Sequence, residues 1–442
     1  MLIVQKYGGS SVGTLERIRN CAARCLAAQR EGHDLVVVVS AMSGETNRLI
    51  ELANRLRALG REGEAIRGKG PYVAVDGAGD RVHERELDQL VSTGENVSAA
   101  LLAMAIHDLG GQAVSLVGHQ IGMITDQTYT NARITEFRGE RVRRELAAGR
   151  IVVCAGFQGL DAEGNITTLG RGGSDTSAVA LAAAIKADVC EIYTDVDGVY
   201  TTDPRIEPRA RKIREITCEE MLELASLGAK VLQIRSVAFA MKYGVAVHVR
   251  SSLNQSEGTW IVSEYRTMEA PVVVGVALDR NEAKVTLTGV PDVPGVAAQV
   301  FKRLAEAGII VDMIIQNASR DGRTDLTFTV PENDLARSIA EIDQLALPGG
   351  KVEVRSDPDI CKISIVGVGM RSHSGVAAKA FEVLAAEGVN IQMVSTSEIK
   401  VSVVVQERYG ELALRALHAG FGLGDAAEGE ATPVAPAEAS AS

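Results

Sequence analysis

The chain has 442 residues, 46% of them hydrophobic, and a net charge of −11. That length exceeds one ordinary core and implies two or three domains. The acidic balance, with no long basic run against it, excludes a nucleic-acid-binding surface. No apolar stretch approaches the length of a membrane span, and the opening MLIVQKYGG lacks the basic and long apolar regions of a signal peptide. A cytoplasmic protein without membrane partners is expected. Its six cysteines, Cys21, Cys25, Cys154, Cys190, Cys218 and Cys361, have no zinc-finger spacing and read as free, buried thiols.

Taken in chain order, residues 2–5, 35–40, 113–118, 151–157 and 189–196 are short β-rich runs, and helical patterns lie between them. Leu15, Ile18, Ala22, Cys25 and Leu26 share one helical face after the first strand. Met104, Ile106 and Leu109 belong to a second helix. Such alternation predicts an α/β domain whose mostly parallel sheet is sandwiched by helices, with ligands beyond the carboxyl ends of the strands. Residues 60–70, GREGEAIRGKG, read as an exposed excursion.

From about residue 272 the chain repeats itself. AKVTLTGVPDVPGVAAQVFKRLAEAGIIVDMI (283–314) matches CKISIVGVGMRSHSGVAAKAFEVLAAEGVNIQMV (361–394). From Gly295 and Gly375 onward the offset is a constant 80 residues. Each copy reads strand, Gly turn, amphipathic helix, Gly, strand, and 324–330 and 400–406 add further strands, so two tandem α+β modules are expected. The tail, 425–442, is small, polar and Pro-containing, the composition of a disordered segment.

The motifs with chemical content fall at the ends of successive strands. KYGGSSVG (6–13) closes the first strand with Lys6 and Tyr7, then opens a helix through Gly8 and Gly9. Bare backbone can approach an anion there, and Ser10 or Ser11 can cap the helix. It is not a Walker A loop, because the lysine precedes the glycines. Ser40 ends the second strand, and Thr46 enters the next helix. Glu95 stands near a helix start, where the macrodipole favours a carboxylate. RGGSD (171–175) gathers Arg171, which can fork a carboxylate, with Gly172, Gly173, Ser174 and Asp175. YTDVDGVYTTDPR (193–205) follows a strand but lacks the later bidentate Glu of a calcium loop. Any one of these reads as an ordinary turn or cap; at consecutive strand tips they read together as one site.

In this order, KYGGSSVG, STGE (92–95), GFQG (156–159), TLGRGGSD (168–175) and YTDVDGVYTTDPR resemble the aspartokinases of the amino-acid-kinase family, and the repeat resembles their paired ACT regulatory domains. The resemblance implies an amino-acid-kinase fold over 1–265, ferredoxin-like ACT domains at 272–350 and 356–424, and the tail at 425–442. It also implies the transfer of the γ-phosphoryl group of ATP to the β-carboxylate of L-aspartate, with Mg²⁺, at the entry to lysine, threonine, methionine and diaminopimelate synthesis. A different acceptor on the same fold and a non-catalytic amino-acid sensor are the rival readings.

The resemblance assigns Lys6, Arg171, Asp175 and Lys230 to catalysis. It gives Ser40, Thr46, Glu95, Arg171, Gly172, Gly173 and Ser174 to aspartate, with Glu95 on the α-ammonium and Arg171 on a carboxylate. The nucleotide falls to Lys6, Tyr7, Gly8, Gly9, Tyr193, Thr194, Asp195, Val199, Tyr200, Thr201, Thr202, Asp203, Pro204, Arg205 and Lys230. Mg²⁺ is assigned no protein ligand. Asp292, Gly295, Gln316, Asn317, Asn390 and Ile391 are the candidates for an amino-acid effector, lysine, threonine or both. Ala377 stands where relatives often carry Thr, and Ala318 replaces Val. A homo-oligomer is expected, or an α2β2 assembly with a small subunit started internally at Met268.

Overall fold

The computed structural model describes residues 1–59, 78–227, 231–265, 271–317, 322–345, 347, 352–373 and 375–424. The 60–70 excursion, Lys230, Met268, Ala318 and the tail lie outside the described residues.

All five expected strands of the first domain form. They belong to an eight-stranded sheet ordered Glu215–Thr217, Thr259–Val262, Val247–Ser251, Val189–Thr194, Leu2–Tyr7, Asp34–Val39, Ile151–Ala155 and Ala113–Leu116. Every pairing is parallel except that of Val247–Ser251 with Thr259–Val262. Parallel strands are covered on both faces, which is why they read as unbroken apolar runs. On one face Ile18, Cys21, Ala22, Cys25 and Leu26 of Leu15–Arg30 pack with Leu102 and Ile106 of Thr93–Asp108. On the other, Val179, Leu181 and Ile185 of Gly173–Ile185 pack with Met221, Leu224 and Val237. Burying each large side chain contributes roughly 1.5–3 kcal/mol. Leu15 and Met104 depart from expectation: they are 63% and 60% exposed. The first helix is capped by Thr14, whose hydroxyl accepts from Arg17 N–H at 3.3 Å. Ser11 does not cap it; its hydroxyl is buried against Ser252 at 2.8 Å.

A four-stranded sheet that the periodicity did not announce stands beside the main one, in the order Ile134–Phe137, Met123–Thr125, Gln158–Leu160 and Ile166–Thr168. Its last two strands form an antiparallel hairpin that delivers the RGGSD loop.

The two copies of the repeat share one antiparallel six-stranded sheet, ordered Ile314–Gln316, Arg323–Val330, Gly275–Pro291, Glu353–Val366, Lys400–Gln406 and Met393–Thr396. The sequence division at 350/356 does not match its cores. Residues 275–279 pair with 362–366, and Val276 packs with Cys361, Ile363 and Leu384 of the second copy. Val352 and Val354 pack instead against the core of the first copy. The second module therefore takes a strand from upstream of the first.

The junction with the catalytic domain is polar and close. Thr201 O accepts from Val276 N at 2.8 Å, and Thr201 Oγ1 lies 2.9 Å from Nε2 of the fully buried His418. Arg211 donates to Leu423 O at 2.9 Å. Buried Glu220 caps its own helix through Thr217 and also accepts from Val368 N at 2.9 Å.

Candidate active site

The loops after the central strands meet in a cavity of about 230 Å³. Every described candidate for catalysis or aspartate binding lines it: Lys6, Ser40, Thr46, Glu95, Arg171, Gly172, Gly173, Ser174 and Asp175. The strands explain the convergence. Lys6 ends its strand facing the Gly173–Ile185 helix, and its Nζ lies 2.6 Å from Asp175 Oδ1 in that helix's first turn. Ser40 N donates to Tyr7 O at 3.1 Å and Gly8 N to Tyr193 O at 3.2 Å, so three strand tips are joined by backbone.

Two glycines are required by geometry. A Cβ on Gly9 would sit 2.9 Å from Ala41 O, so any side chain would push two of these loops apart. Gly172 has φ +67°, and a Cβ there would meet Gln233 Cγ at 1.7 Å.

Charge of both signs lines the cavity. Arg171 and Lys6 bring cations, and Gly173, Ser174 and Asp175 of the first turn of Gly173–Ile185 border the same space. Glu95, only 3% exposed, brings a buried acid. Its Oε1 accepts from Ala41 N at 3.0 Å, whereas Oε2 is buried with no hydrogen-bond partner. Burial pushes the carboxyl from 4.5 up to about 8, and the Ala41 amide offsets this only in part. The site thus holds a buried carboxyl whose Oε2 has no hydrogen-bond partner, together with the Arg171 guanidinium and a lysine paired to Asp175.

Ala41, Asn47, Ile50, Phe157 and Gly170 also line the cavity and were not foreseen. Phe157 is the instructive one. It has φ +69°, unusual for an aromatic residue, and its N–H donates to Ser177 Oγ at 3.0 Å. The GFQG motif was noticed, but no periodicity signals a left-handed phenylalanine.

The nucleotide candidates divide. Tyr7 and Tyr193 are paired in register and stack at 4.8 Å with their rings in the core, 0% and 2% exposed. Only their backbones reach the cleft; the Tyr193 hydroxyl donates to Glu191. Strand alternation is the reason: Lys6 faces the site, so its neighbour faces away. Val199 is core, and Thr201 and Thr202 are buried, Thr201 against His418 of the C-terminal helix Gly410–Gly420. Thr194, Asp195, Tyr200, Asp203, Pro204 and Arg205 remain at least partly accessible. Tyr200 OH donates to Asp197 at 3.0 Å, and Arg205 forks Asp203.

In the regulatory sheet, Asp292, Gly295 and Gln316 line a second cavity of about 320 Å³ with Pro291, Val293 and Val296. Asn317, Asn390 and Ile391 are not among its lining: Asn317 O accepts from Thr324, Asn390 is exposed, and Ile391 packs on the second module's core.

The model of the amino acid kinase family matches residues 1–251, and ACT-domain models match 284–347 and 363–421. An aspartokinase of Pseudomonas aeruginosa is 54% identical over 424 residues, spanning 96% of this chain and 98% of that one. The chain belongs to the aspartokinase family. The aspartate kinase Ask_LysC of Stutzerimonas stutzeri is 53% identical over 423 residues, with 96% and 97% of the two chains covered. Among solved aspartokinases, that of E. coli (aspartokinase III in complex with aspartate and ADP) superposes with a TM-score of 0.72 at 27% identity, covering 95% of this chain and 99% of that one. The same E. coli enzyme in complex with lysine and aspartate gives 0.73 at 28% identity, with the same coverage.

Proposed function

We propose that this aspartokinase holds L-aspartate in the 230 Å³ cavity and transfers the γ-phosphoryl group of ATP to its β-carboxylate, giving 4-phospho-L-aspartate. The observation that carries the reading is the convergence of Glu95, Arg171 and Lys6 on one cavity of amino-acid size. The α-ammonium meets Glu95 Oε2, and Arg171 forks the α-carboxylate. The β-carboxylate is left beside Lys6 and the amides of Gly173–Ile185.

The nucleophile is already anionic at neutral pH, so no general base is needed. The barrier is repulsion between a carboxylate and a polyphosphate, and catalysis consists of positioning and charge neutralisation. Lys6 neutralises the transferring group, and Asp175 fixes the lysine's direction. Gly8 and Gly9 let backbone approach the phosphates, Ser40, Thr46 and Ser174 complete the aspartate pocket, and Lys230 serves the nucleotide. Thr194, Asp195, Tyr200, Asp203 and Arg205 border the nucleotide. Among the described residues no group of three or more His, Cys, Asp or Glu is placed to hold a metal. Mg²⁺, brought with the nucleotide, would rest mainly on phosphate oxygens and water and supply charge neutralisation there.

The cavity at Asp292 and Gln316 takes the amino-acid effector, and binding there shifts the equilibrium between domain arrangements. The chain works in the cytoplasm as an oligomer; no helix among the described residues is long and apolar enough to cross a membrane. An ADP-release assay with aspartate, glutamate, acetylglutamate and UMP tests the reading. Turnover with aspartate alone is expected; turnover only with another acceptor, or effector binding without any turnover, would overturn it.

A further inference from the structure

Arg235, near the start of Ile234–Tyr243, makes contacts that the chemistry above does not use. It donates to Leu169 O, to Ala132 O at 2.8 Å and to Asn131 Oδ1 at 3.2 Å. Among the described residues no carboxylate lies within ion-pair distance of it. A half-buried guanidinium satisfied by uncharged oxygens acts as a multidentate clamp on backbone, since its planar fork can bridge acceptors that a lysine cannot.

Those oxygens come from two segments, 131–132 and 169. From the other side the same pair is gripped by Asp88, which is 0% exposed. Its carboxylate accepts from Thr130 N at 2.9 Å, Thr168 N at 2.8 Å and Thr168 Oγ1 at 2.7 Å. Ala132 N donates to Thr168 O at 2.8 Å and joins the two segments. Asp88 thus gathers backbone donors of the two segments, and Arg235 donates to their acceptors. The second segment ends at Leu169, two residues before Arg171.

The helix that carries Arg235 touches the loop a second time. Gln233, which precedes its first turn, occupies the space a side chain on Gly172 would need. Between Leu169 and the Gly173–Ile185 helix the loop makes left-handed turns at Gly170, φ +76°, and Gly172, φ +67°. A loop with two such turns has little stiffness of its own, so its geometry is imposed from its anchors.

We infer that Arg235 is a positioning residue for aspartate: together with Asp88 it fixes the paired segments that anchor the loop bearing Arg171. The inference rests on the reading that Arg171 holds the substrate's carboxylate. Its effect falls on aspartate and not on nucleotide, because none of the three oxygens belongs to a segment assigned to ATP.

Arg235→Ala and Arg235→Lys in the full chain test it. Arg235→Ala is expected to raise KM for aspartate at least tenfold with kcat changed less than threefold and KM for ATP within twofold. Guanidinium ion at millimolar concentration should recover much of the loss in Arg235→Ala, and urea should not. Arg235→Lys should fall between the two. Hydrogen exchange in the apo protein should quicken over 168–173 in Arg235→Ala and stay unchanged in the parallel sheet. Wild-type turnover on aspartate tests the underlying reading separately, and the exchange measurement needs no activity. An unchanged KM for aspartate with unchanged exchange would overturn the clamp. So would an equal rise in both KM values, accompanied by a general loss of melting temperature and no response to guanidinium.

Discussion

Replacing Glu95 by Gln tests a buried carboxyl whose Oε2 has no hydrogen-bond partner among the described residues. With its carboxyl near 8, only roughly one molecule in ten carries the charge at pH 7, and ionising the rest costs about 1.4 kcal/mol. A hydrogen bond from ammonium to carboxylate contributes roughly 1.5–3 kcal/mol. Glu95→Gln should therefore raise KM for aspartate by about 10- to 150-fold above pH 8, where the carboxyl is already ionised, and by roughly tenfold less at pH 7, while leaving KM for ATP alone. In the wild type, kcat/KM for aspartate should climb by nearly tenfold per pH unit below about 8 and then level off; the variant should lose that limb. Stability should move in the opposite sense. The folded carboxyl binds its proton more tightly than the unfolded one, so the native state loses stability as pH rises from 4.5 to about 8. Glu95→Gln removes that loss, and its melting temperature should exceed the wild type's at pH 8. Initial rates across pH and thermal melts with and without aspartate measure both. A variant with wild-type KM and a wild-type melting profile would refute the reasoning.

Lys6→Ala should lower kcat by about 10²- to 10³-fold, as loss of a preorganised positive group does. It also strands Asp175, so Lys6→Met with Asp175→Asn should recover stability by thermal melt without recovering rate; a recovered rate would show that the pair is only structural. Gly172→Ala should weaken aspartate binding and destabilise the fold by more than Gly32→Ala, which has a positive φ but open space; adding Gln233→Ala should return part of the difference. Asp292→Ala should abolish inhibition by the effector in dose–response assays and leave the uninhibited kcat within twofold.

The catalytic strands and the aspartate site were legible because the charged candidates stood beside strand ends or helix starts, where a parallel sheet collects its ligands. Lys6, Glu95, Arg171 and Asp175 needed no three-dimensional information to be singled out. Tyr7 and Tyr193 misled for a simple reason: a motif read as a string carries no parity, and in a strand adjacent residues face opposite ways. Thr201 shares a motif with accessible Tyr200, but its hydroxyl turns to a different neighbour, His418 of the regulatory domain. Phe157 and Arg235 act through a backbone angle and through carbonyls, neither of which leaves a pattern in composition. The repeat disclosed two similar modules, yet similarity says nothing about which strand completes which sheet.

The exchange of strands between the two regulatory modules decides where the chain can be divided. A polypeptide starting at Met268 would contain residues 275–279 and hence every strand of the six-stranded sheet. One starting at 283, where the repeat begins, would leave Cys361 and Ile363 with a bare flank. During synthesis the 275–279 segment emerges early and must wait for residues 362–366 before its ladder can close, so the inner module is born inside an unfinished outer one.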